Sequence, residues 1–371
     1  MHQQKVLILS GTRPEAIKLA PVYLALKERG VDVRYIKTGQ HSELHDQVTN
    51  FFGIEQTGEF FLPNKHRDLP SLCADLMNVI NTNINAAGYT HAIVQGDTAT
   101  AFCGAHVAFL NKIPLFHVEA GLRSGNVHEP FPEEALRRMI SVLVDVHFCP
   151  TSGAKENLIR EGISPEKIHT TGNTVIDAVR HARNKKIDDI EIMKEIGEEL
   201  FRELNKKSFI LLTVHRRENH GHRLEKICEA IKQYCENSDV HVLCPLHPNP
   251  NVQGRVQKLL SGQNNIHLTS PLSYLAMVWA LEKCQFIVSD SGGLQEEAPS
   301  FNKHIIILRD QTERPEVIQS GWGSLQGTER ENILKSLRIM ENKLGNNHPT
   351  RTNPFGDGYA SELISDVVLS H

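Results

Sequence analysis

The chain has 371 residues, 40% hydrophobic and 23% charged, with a formal net charge of −4. That length predicts about two domains with ordinary cores, and a weak charge with scattered Lys and Arg excludes a field that recruits nucleic acid or an anionic membrane. Apolar runs fall well short of the roughly 18 residues a spanning helix needs, and the N-terminus lacks a signal-peptide layout. Seven dispersed cysteines without Cys-x-x-Cys read as reduced thiols of a cytoplasmic protein.

Val6-Leu7-Ile8-Leu9 predicts a buried strand over 5–9, which empties through Ser10-Gly11-Thr12-Arg13-Pro14 into a helix over 15–29. Strands over 32–37, 91–94, 115–117 and 146–148 follow, alternating with amphipathic helices over 42–52, 68–87, 99–110 and 133–143. A polar, helical stretch occupies about 178–207. The alternation then restarts, with strands over 209–213, 241–243, 267–268, 286–288 and 304–308, each leading to a helix. Such a pattern predicts parallel sheets with helices on both faces. The fold class is therefore α/β, with one Rossmann-like domain over 1–172 and a second over 173–356. After Asn353-Pro354-Phe355-Gly356, a last helix within 357–371 is expected to cross back to the first domain.

Open α/β sheets bind ligands outside the carboxyl ends of their strands. Arg13, Asp97, Glu119, His215 and Asp290 all fall at such ends. Asp290-Ser291-Gly292-Gly293-Leu294-Gln295-Glu296-Glu297 follows the apolar Phe286-Ile287-Val288. A strand that passes through Ser-Gly-Gly into a helix start offers bare N–H groups and lets an anion approach the backbone. The loop after residue 9 is similar, so the two halves are expected to close on one phosphorylated ligand. His215-Arg216-Arg217 suits a diphosphate, which guanidinium forks bind bidentately, although the run alone reads equally as a surface charge cluster. Arg314 follows another strand and could reach the same phosphates.

Asp97, Glu119 and Glu133 supply carboxylates of the kind that move protons on a sugar. Taken singly, each reads as a helix cap or first-turn acid; their number on one side of the predicted sheet favours chemistry. His41 and His45 are four apart, but Glu43 sits between them rather than directly after the first histidine. His241, His247 and His267 fall on separate strands or loops, so no metal site is expected.

The runs GTRPEAIKLAPV, TGQH, QGDT, HVEAGLRSGN, EPFPEEALRR, TGNTVIDA, TVHRREN, PLHPNP, DSGGLQEEAPS, RDQTERPE and NPFGDG, in this order, resemble the non-hydrolysing UDP-N-acetylglucosamine 2-epimerases from residue 6 to about 360. The resemblance implies a GT-B-like fold with an interdomain cleft. It implies reversible conversion of UDP-N-acetylglucosamine to UDP-N-acetylmannosamine, a surface-polysaccharide precursor, through a 2-acetamidoglucal intermediate, with no metal or redox cofactor. Position by position, Asp97, Glu119, Glu133 and His215 match the catalytic set. Arg13, Lys18, Met277, Ser291, Gly292, Gly293, Glu297 and Arg314 match the substrate-binding set. Gln40, His41, Glu43, Arg67, Arg216 and His247 match a second UDP-N-acetylglucosamine site that activates some bacterial members. A homodimer through first-domain helices is implied as well. Leu136 stands where the family run has Asn, Met277 where many members have Phe, and Gln311 where Thr is usual; Trp322 is unusual after Gly321. The residues alone also admit a GT-B glycosyltransferase, a hydrolysing 2-epimerase or a non-catalytic nucleotide-sugar sensor. No acceptor groove is evident, and the carboxylates of the first half favour proton transfer.

Overall fold

Strands buried on both faces need apolar side chains in unbroken runs, because parallel sheets are covered by helices on either side. Val6-Leu7-Ile8-Leu9 and Phe209-Ile210-Leu211-Leu212 meet that need, and each becomes the central strand of a sheet. The computed structural model describes residues 4–39, 43–59, 62, 68–84, 88–185, 188–247, 249–343 and 352–371. The chain divides into two compact units, Met1–His181 with Phe355–His371, and Ala182–Pro354.

In the first unit the described strands are β1 (Lys5–Ser10), β2 (Asp32–Lys37), β3 (Gln56–Glu59), β4 (His91–Gln95), β5 (Leu115–Val118), β6 (Val146–Cys149) and β7 (Ile168–Thr170). They form a seven-stranded parallel sheet in the order β3-β2-β1-β4-β5-β6-β7. In the second unit β8 (Phe209–Thr213), β9 (His241–Pro245), β10 (Ile266–Thr269), β11 (Ile287–Ser289), β12 (Ile305–Ile307) and β13 (Gly323–Leu325) form a parallel sheet in the order β10-β9-β8-β11-β12-β13. Both orders reverse beside the first strand, between β1 and β4 and between β8 and β11. That reversal is the topological switch point of doubly wound folds, where the connections diverge and leave room above the strand ends.

One core of the first unit gathers Leu7, Leu9, Val94 and Leu115 against Leu76, Ile80, Ala101 and Ala105 of neighbouring helices. In the second unit Ile210, Leu212, Val242, Phe286 and Val288 pack on Leu224, Ile227, Ile231 and Leu337. On the opposite face, Trp279 stacks on Phe209 and on Phe201, with ring centroids 6.0 and 5.5 Å apart.

The final helix, Ala360–Ser370, has no side-chain cap of its own. Asp177 instead accepts from Ala360 N (3.2 Å), Ser361 N (2.7 Å) and Ser361 Oγ (2.6 Å). A carboxylate there satisfies orphan amides of the first turn and complements the helix dipole. Gly172 permits the approach: its φ is +88°, and a Cβ would lie 3.1 Å from the Phe355 carbonyl oxygen. No described helix is long and apolar enough to cross a membrane. All seven cysteines are free, and only Cys73 is not fully buried.

Candidate functional site

At the switch point of the first sheet, Thr12 caps the helix Arg13–Glu28 in a capping box with Glu15. Glu15 Oε2 accepts from Thr12 N (2.7 Å) and Gly11 N (3.1 Å), and Glu15 Oε1 accepts from Thr98 Oγ1 (2.7 Å). One buried carboxyl therefore ties the loop after β1 to the loop after β4. Burial pushes its pKa up to about 7, against the hydrogen bonds that lower it. Gly11 belongs to the same joint, since a Cβ there would collide with the hydroxyls of Thr100 and Thr38.

That joint orients the charged residues. Lys18, one turn into the helix, donates to both oxygens of Glu119 at 2.7 and 2.6 Å, and both side chains are buried. Gln95, which ends β4, also donates to Glu119. Glu119 follows β5 with φ +65°. A left-handed glutamate costs about 1–3 kcal/mol and persists where surrounding contacts over-determine it; here Lys18 and Gln95 do so. Asp97, half-buried, accepts from Arg137 Nε (2.8 Å) and Nη2 (2.7 Å). Arg137 Nη1 reaches the fully buried Glu134 at 3.2 Å, and Glu134 also accepts from Ser124 N at 2.9 Å. Glu133 opens the helix Glu133–Ser141, and its Oε2 is buried without a hydrogen-bond partner among the described residues. His117 Nε2 donates to the Gly96 carbonyl (2.8 Å), and burial pushes its pKa down to about 4. The ring is neutral at pH 7, with its proton on Nε2. Arg13 is half-buried at the first position of its helix.

The second unit builds its switch point around Asp290. This fully buried carboxylate accepts from His215 N (3.1 Å), Arg216 N (3.0 Å) and Asn219 Nδ2 (2.9 Å), and the His215 ring Nδ1 lies 3.3 Å away. Thr213 and Ser289 hydroxyls share a 2.6 Å hydrogen bond at the ends of β8 and β11. Burial lowers the His215 pKa, Asp290 opposes that shift, and Arg216 and His247 reinforce it.

The Ser-Gly-Gly bend works by proximity to cations. The helix Gly292–Glu297 has only six residues, so its dipole is short. A Cβ on Gly292 would lie 2.7 Å from Arg314 Nη1 and 3.1 Å from Arg216 Nη2. Glycine is what lets two guanidinium groups close on the bend. Carboxylates aim Arg314 from behind: its Nε donates to Glu296 (2.5 Å) and its Nη1 to Glu313 (2.6 Å). Glu313 also holds Arg309 at 2.8 Å. Arg216 Nε is buried without a hydrogen-bond partner among the described residues.

The expected residues thus fall into separate groups. Lys18 and Glu119 pair directly, and Asp97 lies on the loop after β4, the strand next to β5. Glu133 heads the helix that carries Arg137. His215, Ser291, Gly292, Gly293, Glu297 and Arg314 collect at the switch point of the second sheet, and Met277 lies half-buried on the helix Tyr274–Lys283. Of the six residues matched to a second ligand site, Arg216 and His247 flank His215, with the two imidazoles stacked at 5.3 Å. Glu43 is exposed at the start of the helix Glu43–Phe52 in the first unit; Gln40, His41 and Arg67 lie outside the described residues. His45 is buried and bonded to Ser10 Oγ at 3.0 Å. Gln95, Glu134, Arg137, Asn219 and Glu313 complete the two groups and were not singled out from the sequence. For Arg137 a signal existed, since its spacing from Glu134 is the i,i+3 of a helical ion pair.

Two α/β units of Rossmann strand order, each polar at its switch point, define a protein of the GT-B-like class. A family profile described as UDP-N-acetylglucosamine 2-epimerase matches residues 24–369. The chain belongs to that family. It is 41% identical to a UDP-N-acetylglucosamine 2-epimerase of Campylobacter jejuni over 99% of this chain and 97% of the relative. The crystal structure of a Neisseria meningitidis UDP-GlcNAc 2-epimerase bound to UDP-GlcNAc is similar, with a TM-score of 0.89 at 37% identity, covering 99% of this chain and 100% of the other. A Staphylococcus aureus MnaA structure with UDP gives a TM-score of 0.90 at 36% identity, covering 99% of this chain and 96% of the other.

Proposed function

We propose that this chain interconverts UDP-N-acetylglucosamine and UDP-N-acetylmannosamine without releasing free sugar, supplying a precursor of surface polysaccharide. A base takes the proton from C2 of the sugar as the C1–O bond to UDP breaks, giving 2-acetamidoglucal and UDP. A proton then returns to C2 on the opposite face while the UDP oxygen re-forms the bond to C1. Ser291, Gly292, Gly293 and Arg314 take the diphosphate, Glu297 the ribose and Met277 the uracil. His215 assists departing UDP. Asp97, Glu119 and Glu133 carry the proton transfers, and Arg13 and Lys18 fix charge around them. No metal or redox cofactor takes part in this scheme.

The observation that carries the reading is the pair of guanidinium groups, of Arg216 and Arg314, closing on the bare Cα of Gly292. Charge that grows on a leaving diphosphate needs preorganised donors of this kind. Family membership supports the nucleotide sugar, and the relative solved with UDP-GlcNAc supports it further.

Incubation with UDP-N-acetylglucosamine in heavy water, followed by NMR, tests the scheme. Deuterium is expected to enter C2 of both nucleotide sugars, with no free sugar released. Free N-acetylmannosamine would mark a hydrolysing enzyme, and epimerisation with C2 protium retained would exclude the elimination route.

The same proposal includes a second UDP-N-acetylglucosamine bound by Gln40, His41, Glu43, Arg67, Arg216 and His247 as activator. It also includes a cytoplasmic homodimer. Phe109, Leu110, Met139 and Val142, on neighbouring first-unit helices, are exposed and apolar and support self-association; the free, buried thiols support a reducing compartment. Light scattering of Val142→Glu is expected to give the monomer mass.

A further inference from the structure

At the amino-terminal end of the second sheet, away from His215 and Asp290, the fold joins two histidines that the sequence places 26 residues apart. His241 opens β9 opposite Phe209. The register sets His267 of β10 opposite Leu243. Side chains alternate along a strand, so His241, Leu243 and His267 share one face, the face of Phe209. Phe209 stacks on Trp279, and Trp279 on Phe201 of the helix Glu198–Lys206. The helix seated in this way brings Glu203 to the two imidazoles. His241 Nδ1 lies 2.8 Å from His267 Nε2, with the rings nearly parallel (5°). Glu203 Oε1 lies 3.7 Å from His241 Nδ1, and Glu203 Oε2 lies 3.9 Å from His267 Nε2. These atoms all fall within 4.8 Å of one another.

We propose that Glu203, His241 and His267 form a binding site for one divalent transition-metal ion of the zinc type. Two imidazole nitrogens and one carboxylate oxygen are a ligand set that zinc accepts, with water completing the tetrahedron. The ion replaces the shared N–H···N bond, and the ring that donated it changes tautomer, its proton moving to the nitrogen that faces away from the ion. His267 is half-buried on the edge strand β10, which leaves a path for entry. The bound ion clips the helix Glu198–Lys206 to the sheet edge. Its role is structural, because the site lies at the opposite end of the sheet from the residues assigned to nucleotide binding. The expectation of no metal site rested on sequence spacing, which does not reveal that the parallel register brings His241 and His267 together.

The test uses the full chain without an affinity tag, stripped with chelator. After loading with Zn2+ and desalting, metal analysis is expected to find about one zinc per chain, and Co2+ in its place is expected to give a tetrahedral visible spectrum. At a Zn2+ concentration about 100 times Kd, the Tm is expected to rise by about 5 °C. His267→Gln and Glu203→Gln, both at half-buried positions, are expected to weaken binding by more than the ~10–100-fold that loss of an outer-shell partner costs. His241→Gln is expected to do the same, and the other two variants carry the test should it fail to fold. Absence of retained zinc together with an unmoved Tm would overturn the proposal. So would equal retention by the variants, which would place the ion on others of the 20 histidines.

Discussion

At the reversal of the first sheet, Lys18 and Gln95 converge on a carboxylate, Glu119, and Arg137 holds a second, Asp97. At the reversal of the second, the carboxylates of Glu296 and Glu313 stand behind guanidinium groups that converge on the bare Cα of Gly292. Around the reversal the strand order is the same, and the polarity is opposite. The backbone devices differ as well. The first unit spends strain on Glu119, whose φ is +65°, to aim a side chain. The second uses a residue without a side chain to open space. A doubly wound sheet thus fixes where a site sits but leaves its sign to the few residues at the loop ends.

The largest effect is expected at the first unit, where the proposed scheme moves protons. Asp97→Asn keeps the shape and removes the charge that Arg137 holds, so turnover in the C2 exchange assay should fall about 100- to 10,000-fold with an unchanged circular dichroism spectrum. Wild-type turnover would break the contrast between the two sites.

Next comes the buried pair. Lys18→Met removes the cation paired with the buried Glu119, at a cost of about 3–5 kcal/mol in urea unfolding. Adding Glu119→Gln should recover much of that loss, since a neutral pair needs no partner ion. A double variant no more stable than Lys18→Met would deny the coupling.

In the second unit, Gly292→Ala sets a Cβ 2.7 Å from Arg314 Nη1 and should weaken UDP binding about 10- to 100-fold by calorimetry, the worth of one charge-assisted hydrogen bond. Gly293→Ala, whose Cβ meets nothing closer than 3.6 Å, leaves the guanidinium groups undisturbed and should weaken UDP binding less than Gly292→Ala does. Equal effects at the two glycines would count against the guanidinium explanation.

The smallest effect is in the pH dependence of stability. His117 has an ordinary pKa of 6.5 and a folded value of about 4. Between those values the unfolded chain binds a proton that the folded ring does not, so stability falls as pH falls from 6.5 towards 4 and levels off below. His147, at about 3, acts with the same sign. Glu15 acts oppositely: its folded value of about 7 lies above its ordinary 4.5, so its contribution is largest below pH 4.5 and is lost as pH rises to 7. His117→Asn should make the acid limb shallower by up to about 1.4 kcal/mol per pH unit.

The α/β class and the central strands were legible because their apolar runs are continuous. Three of the four edge strands were not: β3 is Gln56-Thr57-Gly58-Glu59, with no apolar side chain to reveal it. β13 is Gly323-Ser324-Leu325 and β7 is Ile168-His169-Thr170, both short and half-wetted. Of the candidate site, the residues at strand ends were visible from position alone. Glu134, Asn219 and Glu313 were not, because each acts on a partner brought to it by a different element.

The sequence by itself determined the alternation of strand and helix, the glycine loops at the strand ends and the family. Local hydrophobic period and turn chemistry are written in neighbouring residues, so they can be read there. Only the tertiary structure decided that Arg137 meets Asp97, that Arg216 and Arg314 flank Gly292, and that Glu203, His241 and His267 share one corner. Those meetings depend on strand order and on register, which a shift of one residue would invert.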